Sequence, residues 1–318
     1  MMTWIRQRFE LFDLVLLVTH LCALAVLLPL HAELDHFGTA LWQSSALILA
    51  DLFVVFQVRH RLKPAMVLRM VILILSCPWG YERANDVIHV LRGTPEFEAS
   101  ILGVEAYLFG GNASVWLEAL HHPLLTEWLQ ASYITYFFIP LTVGVMMMAS
   151  GRWKEMGILM FAVVLASHQN FFFYVLVPIR SPFLVAELPE FAGLIHYNFD
   201  LHGLWLTDTI RQGLLDSTTM RYDCFPSGHT CLTTTTLLIA WRYHRKAFWV
   251  ISPLAFSLIF STLYLRYHYL IDLVVGASLA FAFAWFAPKA VEWWERLRLS
   301  EAGDRDLVEP RLVASDRP

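Results

Sequence analysis

The sequence predicts an all-α, polytopic membrane helical bundle, and three observations carry that prediction. Hydrophobic residues make up 57% of the 318 and charged residues only 16%, against about a quarter charged in an ordinary soluble domain. Mean hydropathy is +0.53. The apolar residues also gather in runs close to the ~20 that a helix needs to cross the hydrocarbon core. Runs this long and continuous do not suit the strands of a membrane barrel.

About eight spans are predicted, near 11–30, 41–58, 66–80, 131–150, 156–178, 228–242, 247–265 and 268–288. The first follows Arg6 and Arg8, as a signal peptide would. It is long, however, and Leu30-His31-Ala32 offers no small-x-small cleavage pattern, so it is expected to be a retained span. Basic residues mark three loops: Arg59, Arg61 and Lys63; Arg152 and Lys154; Arg242, Arg245 and Lys246. The positive-inside rule puts these loops in the cytoplasm. A multi-pass protein of the cell membrane with both termini cytoplasmic follows.

Two long segments then fall on the extracytoplasmic side. The first, 81–130, is acidic at its start, and its Trp116–Leu129 portion reads as a helix lying in the interface. The second runs from Pro178 to Phe225. The expected division is residues 1–130 as N-terminal spans with loop and interfacial helix, 131–288 as a membrane core, and 289–318 as a polar cytoplasmic tail. Asp51 and Arg69 are charged residues inside predicted spans, where an unpaired charge is costly. A structural contact between the two is expected. His196, Asp200 and His202 read as an ordinary wet loop.

Composition also excludes some functions. Net charge is −4 and the basic residues form no stripe, so no nucleic acid is expected as a partner. The four cysteines include no C-x-x-C pair, and three lie in apolar runs, so neither disulfides nor a zinc site is indicated.

Two elements carry chemistry. In Pro226-Ser227-Gly228-His229, proline and serine open a helix and glycine permits close backbone approach. A helix N-terminus suits a phosphate, and His229 sits in its first turn. The second element places His268 and Asp272 four residues apart, on one helical face. An aspartate bonded to one imidazole nitrogen leaves the other free to attack. The plain structural readings are an interfacial helix cap and an Asp272–Arg266 ion pair. Topology argues against both. The span after His229 runs inward and the next returns to His268, so the two histidines meet at one membrane face.

This arrangement resembles the type 2 phosphatidic acid phosphatase superfamily over roughly residues 131–288. Asp223-Cys-Phe-Pro-Ser-Gly-His-Thr230, Tyr264-Leu-Arg-Tyr-His-Tyr269, Tyr133-x-x-Tyr-Phe-Phe-Ile-Pro140 and Tyr174-Val-Leu-Val-Pro178 look more like its inositol phosphorylceramide synthase branch. The resemblance implies a six-helix-type core. It also implies His268 as a nucleophile forming phosphohistidine, Asp272 as its orienting partner, and His229 as the acid for the leaving oxygen. Ser227 and Gly228 would bind phosphate, and no metal or cofactor is expected. Two motif positions depart from the phosphatase pattern. Thr262 stands where an arginine would follow Ser261, and Arg180-Ser181-Pro182 has Phe173 where a lysine would stand seven residues earlier. Arg180 and Arg266 are the expected substitutes for phosphate binding.

The implied substrates are a phospholipid or sphingolipid and a polyol acceptor, with the bilayer as environment. The competing enzyme reading is a lipid phosphate or isoprenyl pyrophosphate phosphatase using water. The competing non-enzyme reading is a degenerate scaffold or transporter. The intact His229, His268 and Asp272 speak against the latter.

Overall fold

The computed structural model describes residues 5, 8–34, 36–57, 63–92, 97–191, 193–216 and 222–314. Arg6, Arg59, Arg61 and Arg221 lie outside these residues. The described chain is helical throughout, with one isolated parallel bridge between Ile179 and Asp223. The helices are α1 (Leu11–Leu27), α2 (Phe37–Gln57), α3 (Lys63–Arg92), α4 (Glu98–Phe109), α5 (Ala113–Trp116), α6 (Pro123–Tyr133), α7 (Phe138–Ala149), α8 (Trp153–Leu176), α9 (Pro182–Glu187), α10 (Leu206–Asp216), α11 (Gly228–Tyr243), α12 (Arg245–Tyr264) and α13 (Leu270–Ala314).

Six of these helices are long and apolar enough to cross a membrane, and α6 with α7 makes a seventh as a pair bent by 56°. The chain is therefore a multi-pass membrane protein. The span predicted at 228–242 is α11, whose 16 residues fall short of a full crossing. Its run of threonines is buried. Thr236 donates to Leu232 O one turn back, as expected, whereas the Thr233 and Thr235 hydroxyls have no partner among the described residues.

Three further expectations change on folding. The span predicted at 66–80 continues as helix to Arg92, so Tyr81 faces the bundle rather than a loop. The single interfacial helix over Trp116–Leu129 is instead α5, a 3-10 turn at Leu117–Leu120, and α6, which begins after His122. Pro123 and the His122 ring, which accepts from Leu124 N, start that new helix. The span predicted at 131–150 is broken between Tyr133 and Phe138. Broken backbone at membrane depth survives only where protein or a cavity covers it, and here residues 134, 136 and 137 line a cavity.

The core packs α8, α11 and α13 against one another, with α3 against α8 and α12 against α11. α13 packs tightly on the start of α11 at Gly276, where a methyl group would lie 2.6 Å from Ser227 O. At one end of the bundle Arg152 donates to Tyr243 O, Lys154 pairs with Glu295, and Arg298 pairs with Glu10. The loops carrying Arg152 and Arg245 therefore share that end with the start of α1. At the opposite end lie His229, His268 and the described residues of 177–225.

Arg69 does not pair with Asp51. Its guanidinium meets Asp13 of α1 through two hydrogen bonds, at 2.8 and 2.9 Å. Neither carboxylate oxygen of Asp51 has a hydrogen-bond partner among the described residues.

Candidate active site

The segment before α11 is pinned by short backbone bonds. Cys224 N donates to Ile179 O, and Ser227 N donates to Asp272 O at 3.1 Å. Ser227 is the N-cap of α11, its hydroxyl accepting from Thr230 N at 3.2 Å. The same short stretch thus starts α11 and ties it to the first turn of α13. His229 and His268 arrive facing each other, with ring centroids 5.7 Å apart.

His268 is buried, and its surroundings fix its tautomer. Nδ1 lies 2.9 Å from the carbonyl oxygen of Cys224. A carbonyl only accepts, so Nδ1 carries a proton, and in the neutral ring it is Nε2 that keeps the lone pair. Asp272 Oδ2 stands farther away, at 3.4 Å. That oxygen is held by Tyr269 N at 2.8 Å and by the Cys224 thiol at 3.0 Å. Asp272 Oδ1 has no hydrogen-bond partner among the described residues. Burial, then the negative Asp272 beside it, pushes the Cys224 thiol well up, so it stays protonated and unreactive.

A cavity of about 350 Å³ opens on His268. His229, His268, Asp223, Tyr81, Tyr133, Tyr136 and Tyr267 give it a polar wall, and Pro78, Ile134, Phe137, Phe183 and Leu184 an apolar one. His229 is sandwiched between Tyr133, stacked at 4.4 Å, and Tyr136, tilted at 4.3 Å. Burial pushes the Asp223 carboxyl up to about 6, against the opposing pull of His268. Burial likewise pushes Tyr267 up to about 12, which keeps it a neutral hydroxyl.

Of the expected site residues, the fold brings together His229, His268 and Asp272. Ser227 and Gly228 adjoin them, and each also has a structural task. The Ser227 side chain is buried and spent on capping. Gly228 makes room for its neighbours, since a Cβ there would meet Asn170 Nδ2 and Tyr174 OH at 2.8 Å. What α11 can offer an anion is its first free N–H groups.

Arg180 and Arg266 do not line the cavity. Arg180 is bound to Glu98 at 3.3 Å and to the Tyr222 hydroxyl at 2.8 Å. Arg266 is bound to Glu118 and to Phe199 O, both at 2.8 Å, and lies over the Tyr197 ring. It therefore does not pair with Asp272. Its φ of +67°, rare for a residue with a Cβ, forms the turn that leads to His268.

The sequence reading missed another cation. Arg211 of α10 is buried, its guanidinium lies 3.9 Å from the ring centroid of the cavity-lining Phe183, and its Nη1 has no hydrogen-bond partner among the described residues. Glu127 of α6 holds α10 in place by accepting from Leu204 N, Leu206 N and Thr207 N at the start of that helix. The only sequence signal was an arginine amid apolar residues in a polar loop.

No solved structure matches the chain. Among curated proteins it is similar to the bacitracin transport permease protein BcrC of Bacillus licheniformis, at 28% identity over 141 residues. That match covers 42% of this chain and 66% of the relative, so the chain spans just under two thirds of that protein. A family model described as the PAP2 superfamily matches residues 100–286. That stretch holds both histidines, Asp272 and the cavity's polar wall apart from Tyr81, and it covers more than half of the sequence: the chain belongs to the PAP2 superfamily.

Proposed function

We propose that this chain transfers a phosphoryl or phospho-head group from a membrane lipid, through a phosphohistidine on His268, to an alcohol. The observation that carries the reading is the tautomer of His268, whose proton is held on Nδ1 by the Cys224 carbonyl while Nε2 is left free beside a cavity. Nε2 attacks phosphorus, and the lipid oxygen leaves with a proton from His229. His229 then takes a proton from the acceptor hydroxyl, whose oxygen displaces the histidine. Asp272 stabilises the positive charge that builds on His268 during attack.

The anion needs positive partners. The free N–H groups opening α11, beside Ser227 and Gly228, supply partial charge. Arg211 is the better candidate for the full charge, because Arg180 and Arg266 are already neutralised by Glu98 and Glu118. Those two arginines are assigned to holding the 177–225 and 265–269 loops in place. The cavity's apolar wall suits lipid chains. Its tyrosine hydroxyls and the Asp223 carboxyl suit an acceptor with several hydroxyls, which favours the inositol phosphorylceramide synthase-like reading over transfer to water. A lipid phosphate or isoprenyl pyrophosphate phosphatase is the second reading.

The separating experiment is turnover of a lipid panel by purified protein, with and without a lipid alcohol or inositol as acceptor, scoring phosphorylated acceptor and free phosphate separately. Phosphorylated acceptor that forms only when the alcohol is supplied supports transfer. Free phosphate alone, unaffected by the alcohol, makes the chain a phosphatase. We place the site on the extracytoplasmic side with both termini cytoplasmic, on the strength of the basic loops gathered at the other end of the bundle. A membrane-impermeant thiol reagent should label a cysteine introduced in the 193–200 loop in intact cells. Labelling only after permeabilisation reverses the orientation.

A further inference from the structure

The Cys224 thiol lies against the Asp272–His268 pair, and the transfer chemistry makes no use of it. Sγ is 3.0 Å from Asp272 Oδ2 and 3.6 Å from His268 Nδ1, and Nδ1 is 3.4 Å from Oδ2. The three atoms form a compact triangle of one sulfur, one nitrogen and one oxygen donor. Ligand bonds of roughly 2.0–2.3 Å at tetrahedral angles put the ligand atoms of a zinc ion about 3.4–3.6 Å apart. Two sides of the triangle already have that length, and the third, now a thiol–carboxylate hydrogen bond, must lengthen by about half an ångström on that standard. Asp272 Oδ1, buried and without a hydrogen-bond partner among the described residues, remains as a further donor.

We propose that Cys224, His268 and Asp272 form an inhibitory site for Zn²⁺. Charge favours it. A thiolate and a carboxylate neutralise the ion, whereas the metal-free site keeps one buried carboxylate beside a neutral imidazole. Of the three ligands His268 lines the cavity, whose wall among the described residues carries Asp223 and neither lysine nor arginine to repel an ion.

The step balances simply. Zinc forms bonds to Sγ, Nδ1 and Asp272. The thiol proton leaves to water, because a coordinating thiol is deprotonated outright. The imidazole proton moves from Nδ1 to Nε2, which breaks the hydrogen bond to the Cys224 carbonyl. Nothing is oxidised or reduced. The lone pair of Nε2 is thereby consumed, and His268 can no longer attack phosphorus. The site rests on geometry alone, whereas its inhibitory effect rests on the proposed nucleophile.

The test uses purified full-length protein stripped with EDTA. Cobalt(II) serves as the spectroscopic probe, and zinc is titrated against turnover. One cobalt per chain is expected, with visible bands of a tetrahedral ion and a near-ultraviolet thiolate charge-transfer band. Cys224→Ser should lose the charge-transfer band and need at least tenfold more zinc for half inhibition, relative to its own zinc-free rate. Cys231→Ser should keep both. Should Cys224→Ser fail to fold, judged by its thermal melt, Asp272→Asn retains the thiol and should weaken cobalt binding at least tenfold. A missing thiolate band in the wild type, or one that persists in Cys224→Ser, overturns the site. A band with no loss of turnover under zinc overturns the switch and counts against His268 as nucleophile. If His268→Ala abolishes phosphoenzyme while no cobalt binds, the metal site falls and the transfer reading stands.

Discussion

Two buried carboxylates, Asp13 and Asp272, are treated by this fold in opposite ways. Asp13 sits on α1 with its oxygens bound by Arg69 at 2.8 and 2.9 Å, and it also accepts from Glu10 N. A cation and a local hydrogen bond thus hold both oxygens of Asp13. Among the described residues Asp272 pairs with no arginine or lysine, since Arg266 turns away to Glu118. It is left with a neutral imidazole at 3.4 Å, a thiol, one backbone amide and one unbonded oxygen. The first cluster has satisfied its charge and can only hold helices together. The second has kept its charge unspent behind His268, which lines the cavity, and an imidazole becoming positive there would gain most from it. Asp13 and Asp272 are buried alike, and what separates them is how far each is paired.

The largest effect that tests this contrast is expected at His268. Its replacement by Ala should remove turnover and abolish acid-labile, base-stable radiolabel on the protein. Label that persists in His268→Ala would end the phosphohistidine reading. His229→Ala should slow a natural substrate by about 10²–10⁴-fold and be partly rescued by a p-nitrophenyl phosphoester, whose leaving oxygen needs little protonation. Equal rescue of both histidine variants would erase the division between them.

On the structural side, Asp13→Asn should lower stability by roughly 3–5 kcal/mol, the usual cost of breaking a buried ion pair from one side, with the turnover of the folded fraction unchanged. Thermal melts and single-turnover rates on the same preparation check both halves. A catalytic defect in the folded fraction would blur the contrast. Asp272→Asn should show the converse, reduced turnover with little change in melting, because the Cys224 carbonyl still holds the Nδ1 proton.

The smallest effect concerns Glu105, which accepts from Ile271 N beside Asp272 and which burial pushes up to about 7 from an ordinary 4.5. A carboxyl whose folded-state value is raised favours the protonated folded form. Its contribution to stability is present at low pH and is lost as pH rises from 4.5 to about 7. Glu105→Gln should flatten the melting temperature over that window, and an unchanged profile would remove Glu105 from the account.

Much of this was legible in the sequence, for identifiable reasons. Apolar runs report crossing helices directly, and the spacing of four between His268 and Asp272 fixes their shared face. The meeting of His229 with His268 followed from counting crossings. Pairings between distant segments were not legible. Glu118 and Arg266 are 148 positions apart, and nothing in either neighbourhood names the other. Asp13 was overlooked as a partner for Arg69 because helix rotation in a bundle is set by packing, which hydropathy does not encode. The break at 134–137 lies inside an apolar run and so read as unbroken helix, although it exposes Tyr136 to the cavity.

Gly276 carries a consequence of a different kind. It lets the helix bearing Asp272 touch the N-cap of the helix bearing His229, with the Ser227 carbonyl oxygen 2.6 Å from where a methyl group would be. The spacing between the two halves of the chemistry is thus set by an absent side chain, away from any reacting atom. An alanine there would act as a shim, tilting one helix from the other by a fraction of an ångström. The two histidines form a caliper, and its jaw width is adjusted at a residue that neither holds nor touches what is measured.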